Sequence, residues 1–325
     1  MLIIIQPIST NLMQKNNLSK NTFLIIILIM FFYVTLTLVA DVSKLFYHLL
    51  NIKIEFLTVV LLLVMSSLVI RSFRQQIFLR NINVKIPLID NTKIYFAGLS
   101  FVATPGGFGM LIKSDIIKKK FGVTRSQTLP IVFIERYHDI LSILTLLIVT
   151  LPFSYLWQSS IIVVIFSFII SGAYLLVHSK TLLIRCQTKL SKIKFMKKII
   201  PTQELNESFY ILTKPKIMIY GWSISIISWI IEAFAVYFTF IAVGYNLEFF
   251  KTFQYYFTSL AYGAISFIPG GVGVTEGSFI SILVSNGFEF SVASTIVLII
   301  RLTTIWFATM IGFAITKYSF TQKTY

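Results

Sequence analysis

The chain is 325 residues long, 56% hydrophobic and 12% charged, with a formal net charge of +16. That is far more apolar surface than one soluble core of this size buries, so a bilayer must act as its solvent. The charge would suggest nucleic acid in a soluble protein, but here the basic residues fall between apolar runs and report topology, and the lone Cys186 excludes a disulfide framework or a cysteine metal site.

Residues 1–21 read as a cytoplasmic N-terminal segment carrying Lys15 and Lys20. The apolar run at 22–40 is longer than the roughly 7–15 residues of a signal-peptide core and no A-x-A site follows it, so it reads as a retained first span. Further runs at 54–70, 129–151, 160–177, 217–243 and 290–316 bring the expected spans to about six. Two other apolar stretches, 94–112 and 252–286, are each interrupted by Pro-Gly-Gly. The intervening segments 71–93, 113–127 and 179–216 are too short or too basic to be globular. One membrane domain over 22–316 is therefore expected, followed by a cytoplasmic tail at 317–325.

If both interrupted stretches enter and leave on one side, 23 of the 28 Lys and Arg share the side of the termini, Arg71, Arg74 and Lys113 among them. Only Lys44, Lys53 and Lys251 face the other side, while Arg136 and Arg301 fall inside spans. The positive-inside bias then puts both termini in the cytoplasm of a multi-pass cell-membrane protein. A full crossing at 94–112 would export Lys113 to Arg125 and erase that bias, so re-entrant helical hairpins are preferred. Irregular backbone at such depth is tolerated only where it lines protein or a wet cavity.

Pro105-Gly106-Gly107-Phe108-Gly109 recurs as Pro269-Gly270-Gly271-Val272-Gly273. Each copy leads into a short apolar helix ending at a glycine, Gly122 and Gly287, and each glycine is followed 14 residues later by an arginine, Arg136 and Arg301. Three spans separate the motifs, an odd number, so the second copy enters from the opposite face. The expected fold is an all-α polytopic membrane protein in which repeat 1 (about 22–152) and repeat 2 (about 158–316) are inverted copies. Secondary transporters with a midplane site share this architecture.

Glycine permits positive φ and exposes backbone N–H groups, and the helix that follows aims its positive end at the same place, which favours a phosphate or carboxylate. Close helix packing is the other use of such glycines. Arg136 and Arg301 each cost about 2.5–3.5 kcal/mol at mid-membrane and need partners. Glu135, Asp139, Glu232 and Glu276 are the available acids; Asp139 lies within helical reach of Arg136, whereas Arg301 has no acid near it on its own helix and Glu276 or Glu232 must come to it from elsewhere in the fold. Lys113 is placed either to touch a headgroup phosphate or to snorkel to the interface. His138 is the histidine best placed for a proton relay, or else packs as a hydrogen-bonding core residue, and the run Lys189 to Lys198 reads as a segment resting on anionic lipid. No Gly-x-Ser-x-Gly, His-Glu-x-x-His, P-loop or Cys-x-x-Cys is present, so no catalytic residue, metal or cofactor is assigned.

At Pro105–Gly109, Glu135-Arg136-x-x-Asp139 and Pro269-Gly270-Gly271-Val272-Gly273-x-x-Glu276 with Arg301 downstream, the sequence resembles the flippase-like family named for the transmembrane region of lysylphosphatidylglycerol synthase. The resemblance covers nearly all the chain after the first span and implies a stand-alone member without the soluble aminoacyl-transferase module. It implies flipping of a lipid across the membrane, as the best-understood members combine with lipid synthesis; other relatives serve envelope, hopanoid and glycolipid pathways. Many relatives carry an acid right after the first motif, where this chain has Met110, which leaves Glu276 as the acid of the pair. The expected substrate-binding set is Pro105, Gly106, Gly107, Gly109, Lys113, Glu135, Arg136, Asp139, Pro269, Gly270, Gly271, Gly273, Glu276 and Arg301, holding the phosphate of an anionic, aminoacylated or glycosylated lipid. The alternative is a membrane component that presents lipid to a separate transferase.

Overall fold

The computed structural model describes residues 50–101, 111–153, 157–179, 203–266 and 268–320, with 43, 47 and 185 besides. The first span, the first Pro-Gly-Gly motif at 105–109 and the basic run at 189–198 lie outside the described residues. Among those described the fold is helical, with no strand. The helices are α1 (Ile54–Asn81), α2 (Leu88–Leu99), α3 (Ile112–Phe121), α4 (Arg125–Thr150) and α5 (Trp157–His178), then α6 (Gln203–Leu212), α7 (Pro215–Ala242), α8 (Phe249–Ile265), α9 (Val274–Ser285) and α10 (Phe290–Phe320).

Among the described residues α1, α7 and α10 are long and apolar enough to cross a membrane. Each exceeds the roughly 20 residues a span requires. In α5 the apolar stretch Ser159–Leu175 is shorter, and α4, 26 residues long, carries Arg125, Glu135, Arg136 and Asp139. One boundary departs from expectation. Helix α1 runs on past residue 70 to Asn81, so Arg71 and Arg74 belong to the helix interior and not to a cytoplasmic loop. Lys113 is likewise only 2% exposed. Both arginines stay on the helix because the polar stripe Ser67, Arg71, Arg74, Gln75 recurs at helical spacing and meets partners on α7 and α4.

Two ends of the bundle are recognisable from the contacts between elements. At one end Lys120 of α3 binds Asp90 of α2 at 2.5 Å, Arg125 of α4 pairs with Asp115 of α3, and Thr124 donates to Glu204 of α6 at 2.5 Å. At the other, the Lys53 N–H before α1 donates to Ala242 O at 3.0 Å and Phe153 stacks on Phe250 with ring centroids 4.1 Å apart. Helices α2 and α3 therefore begin and end at the first end, while α8 and α9 begin and end at the second, where Tyr255 OH donates to Asn286 Oδ1 at 2.8 Å. Helix α2, with 12 residues, rises only about 18 Å.

Packing is organised around α1 against α7, with α2 on α10 and α8 on α4 flanking that pair. Phe253, Phe257 and Phe279 with Ile296 and Ile300 form the largest apolar cluster. The expected helix ends hold: Gly122 closes α3 with φ 72°, and Gly287 follows α9 with φ 91°.

Candidate functional site: a buried belt of paired charges

Helices α1, α3, α4 and α7 bring seven charged side chains together in the interior. Arg71 Nη2 donates to Glu232 Oε2 at 2.6 Å and its guanidinium carbon lies 4.2 Å from the centre of the Trp229 ring. Glu232 also accepts from Tyr256 OH at 2.8 Å and from Ser67 Oγ at 3.3 Å, so its carboxylate is fully engaged. Arg74, 1% exposed, donates to Asp139 Oδ1 at 2.8 Å and to Ser225 Oγ. Lys113 donates to Glu135 and, at 2.8 Å, to Gln75 Oε1, and Gln75 Nε2 in turn donates to Asn91 Oδ1 at 2.8 Å. Arg136 Nη1 reaches Asp139 Oδ2 at 3.5 Å, with 36% of its side chain exposed.

Desolvation explains why each of these charged side chains meets one of opposite sign. An isolated ion at this depth costs several kcal/mol, and only near-complete hydrogen bonding offsets it. Among the described residues the belt interleaves the cations Arg71, Arg74, Lys113 and Arg136 with the carboxylates Glu135, Asp139 and Glu232.

The second Pro-Gly-Gly motif forms a tight turn with Gly270, Gly271 and Gly273 at φ 63°, 65° and 87°. Arg301 reaches over from α10, donating through Nε to Glu276 Oε1 at 2.7 Å and through Nη2 to Gly270 O at 2.5 Å. The other Glu276 oxygen accepts from the Gly273 N–H at 2.8 Å. Gly271 N–H is spent on Ile268 O at 2.9 Å. The N–H groups of Gly271 and Gly273 are thus held by the chain itself, and Glu276 occupies the helix N-terminus as its own anion. Gly271 also lies against α8, where an added Cβ would come 3.2 Å from Gly263 Cα and 2.5 Å from Thr275 Oγ1. Close packing is a use these glycines serve in this conformation. Immediately after Arg301, α10 widens into a π-turn over Leu302–Trp306.

The structure thus unites Lys113, Glu135, Arg136 and Asp139 in one belt, and Gly270, Gly273, Glu276 and Arg301 in one turn beside Pro269 and Gly271. Pro105, Gly106, Gly107 and Gly109 lie outside the described residues. His138 directs both ring nitrogens at backbone carbonyls, Ile134 O at 2.8 Å and Met218 O at 3.0 Å, a packed hydrogen-bonding position. Arg71, Arg74 and Tyr256 were missed. For the two arginines the signal was present as the 67-71-74-75 stripe of α1, complementary to the 225-228-232 stripe of α7.

Comparison with known proteins gives a consistent result. Residues 22–312 match the family described as the lysylphosphatidylglycerol synthase TM region. A UPF0104 membrane protein of Pyrococcus horikoshii is 23% identical over 314 residues, covering 86% of this chain and 92% of its own length. Another of the same name from Methanocaldococcus jannaschii is 27% identical over 219 residues, covering 64% and 88%.

Proposed function

Because the chain belongs to the family of the lysylphosphatidylglycerol synthase transmembrane region and is a multi-pass membrane protein, we propose that it carries a phosphate-bearing lipid between leaflets. The observation that carries this reading is the interior belt of interleaved cations and carboxylates. Such residues inside a membrane domain are costly and are kept where an ion or headgroup passes.

The packing supports an inverted repeat as the moving framework. Exchange α1, α2, α3, α4 for α7, α8, α9, α10 and the pairings recur: α1 with α2 as α7 with α8, α3 with α4 as α9 with α10, α2 with α10 as α8 with α4. Helices α1 and α7 exchange with each other across the shared contact. In that framework Arg71 to Glu232 ties one repeat to the other, whereas Arg74 to Asp139, Lys113 to Glu135 and Arg301 to Glu276 are ties within a repeat. Rocking of one repeat on the other would break the first tie and keep the rest.

The test is reconstitution into vesicles containing a headgroup-addressable phosphatidylglycerol, counting the fraction that becomes accessible from the other leaflet. Exchange above that of protein-free vesicles, with anionic lipid preferred to phosphatidylcholine, is the expected result. Rates equal to empty vesicles would overturn the reading. A fixed disulfide between α1 and α7 should stop exchange and its reduction restore it.

A further inference from the structure

Two stretches of the chain correspond position for position. Helices α1 and α7 are each 28 residues long, and α2 follows α1 at the same interval as α8 follows α7. The turns between them agree in detail. Asn83 at φ 60° answers Gly244 at φ 89°, and Val84 N–H donating to Leu79 O at 2.9 Å answers Tyr245 N–H donating to Phe240 O at 2.9 Å. In this register Ser67 corresponds to Ser228, Arg71 to Glu232 and Tyr95 to Tyr256. Ser67 Oγ donates to Glu232 at 3.3 Å while Arg71 Nε donates to Ser228 Oγ at 3.3 Å, two contacts that exchange when the repeats do. The pair of Arg71 with Glu232 is its own counterpart, and it lies about 15 Å in from opposite ends of α1 and α7.

One contact has no counterpart. Tyr256 OH donates to Glu232 Oε1 at 2.8 Å. Tyr95 lies within electrostatic reach of Arg71, a cation where repeat 2 has a carboxylate. Among the described residues no hydrogen bond uses the Tyr95 hydroxyl, although the residue is only 2% exposed. A buried tyrosine hydroxyl ordinarily finds a partner. Arg71 engages Nε and Nη2, which leaves Nη1 without a hydrogen bond on a side chain that is 12% exposed. Neither the hydroxyl nor Nη1 is among the fully enclosed polar atoms, so both touch accessible space. Lys113 Nζ lies 5.2 Å from the centre of the Tyr95 ring. A hydroxyl and a guanidinium N–H offered together as donors select an oxyanion, which only accepts.

We propose that Tyr95 OH and Arg71 Nη1 grip the phosphate of the lipid headgroup, giving repeat 1 the anion that the Glu232 carboxylate supplies to Tyr256 in repeat 2. The site rests on the translocation reading above and puts the headgroup contact near mid-depth, where inverted repeats place their substrates. Its two donors come from α1 and α2, and both belong to repeat 1. The headgroup therefore binds one repeat while the tie of Arg71 to Glu232 joins that repeat to the other.

The experiment measures equilibrium binding of radiolabelled dihexanoyl phosphatidylglycerol, and separately of inorganic phosphate, to the purified full chain in phosphatidylcholine nanodiscs. Tyr95→Phe removes a hydroxyl that no described group uses, so it should leave the unfolding temperature unchanged while weakening phosphatidylglycerol binding about ten-fold or more. Tyr256→Phe should do the opposite, lowering the unfolding temperature because Glu232 loses a donor and changing affinity less. Exchanging the pair, Arg71→Glu with Glu232→Arg, supplies a further arm. Ser67 and Ser228 can serve either member, and Tyr95 gains a carboxylate to donate to, so the exchanged protein should fold. Its anion site should move to Tyr256: adding Tyr256→Phe, and no longer Tyr95→Phe, should then weaken binding. Binding unchanged by Tyr95→Phe would overturn the site whether or not the exchanged protein folds. Tighter binding of inorganic phosphate than of phosphatidylglycerol would make it a site for free phosphate and overturn the headgroup assignment. Binding as expected without transbilayer exchange would refute the translocation reading and leave the site standing, and exchange with binding indifferent to Tyr95→Phe would do the reverse.

Discussion

Glu276 is fully buried and accepts from both Arg301 and the Gly273 N–H, so one side chain locks a helix end, a glycine turn and a neighbouring helix. Removing its partner strands a carboxylate in low dielectric and orphans Gly270 O. Arg301→Ala should therefore lower stability by about 3–5 kcal/mol. Adding Glu276→Gln to it removes the uncompensated charge, and the pair of changes should cost less than the sum of the two alone. Thermal unfolding of the four proteins in one detergent measures this; strict additivity would mean the two residues are not coupled. The pairing of Arg301 with Glu276 was one of the two alternatives the sequence left open, because the acid had to come from another element and spacing along one helix cannot decide that.

At the scale of elements, the two short helices are tied to the helices that follow them by ion pairs of opposite sense. On α9 the acid Glu276 meets the base Arg301, whereas on α3 the base Lys113 meets the acid Glu135. Gly98 makes the second tie possible: a Cβ there would come within 2.6 Å of Lys113 Cγ. Lys113→Glu alone should abolish accumulation of folded protein, and Lys113→Glu with Glu135→Lys should restore part of it, as measured by monodisperse yield after purification. The glycines of the second hairpin separate space from conformation. Gly263→Ala collides with the Thr275 side chain, so Thr275→Ala should rescue it; Gly271→Ala also forces an L side chain to φ 65° and should not be rescued. Both are read as changes in unfolding temperature. These elements were legible to different degrees. Gly122 and Gly287 marked helix ends because a left-handed residue there has few substitutes, but the length of α1 was hidden: Arg71 and Arg74 look like loop residues until partners on α4 and α7 are known.

Across the whole molecule, the hairpins begin and end at opposite ends of the bundle, and the charges follow. Among the described residues Arg80, Lys85, Lys118, Lys119, Lys120, Arg125, Lys214, Lys216 and Lys317 gather at or near the end where α2 starts, against Lys53 and Lys251 at the other. Moving Arg71, Arg74 and Lys113 to the interior shrinks the sequence-derived majority without reversing it, since those three never faced either leaflet. The positive-inside rule then predicts that the α2 end faces the cytoplasm. Single cysteines in a background lacking Cys186 should test this with a membrane-impermeant maleimide. Positions 118, exposed at the end of α3, and 194 should react only after the membrane is opened, while 48 and 248, the latter exposed just before α8, should react in intact cells. Labelling of 118 from outside would mean that α2 and α3 connect opposite faces, contrary to the Lys120 to Asp90 contact that joins their ends. Labelling of 248 only from inside would invert the whole bundle, and the basic end would then face the outer leaflet.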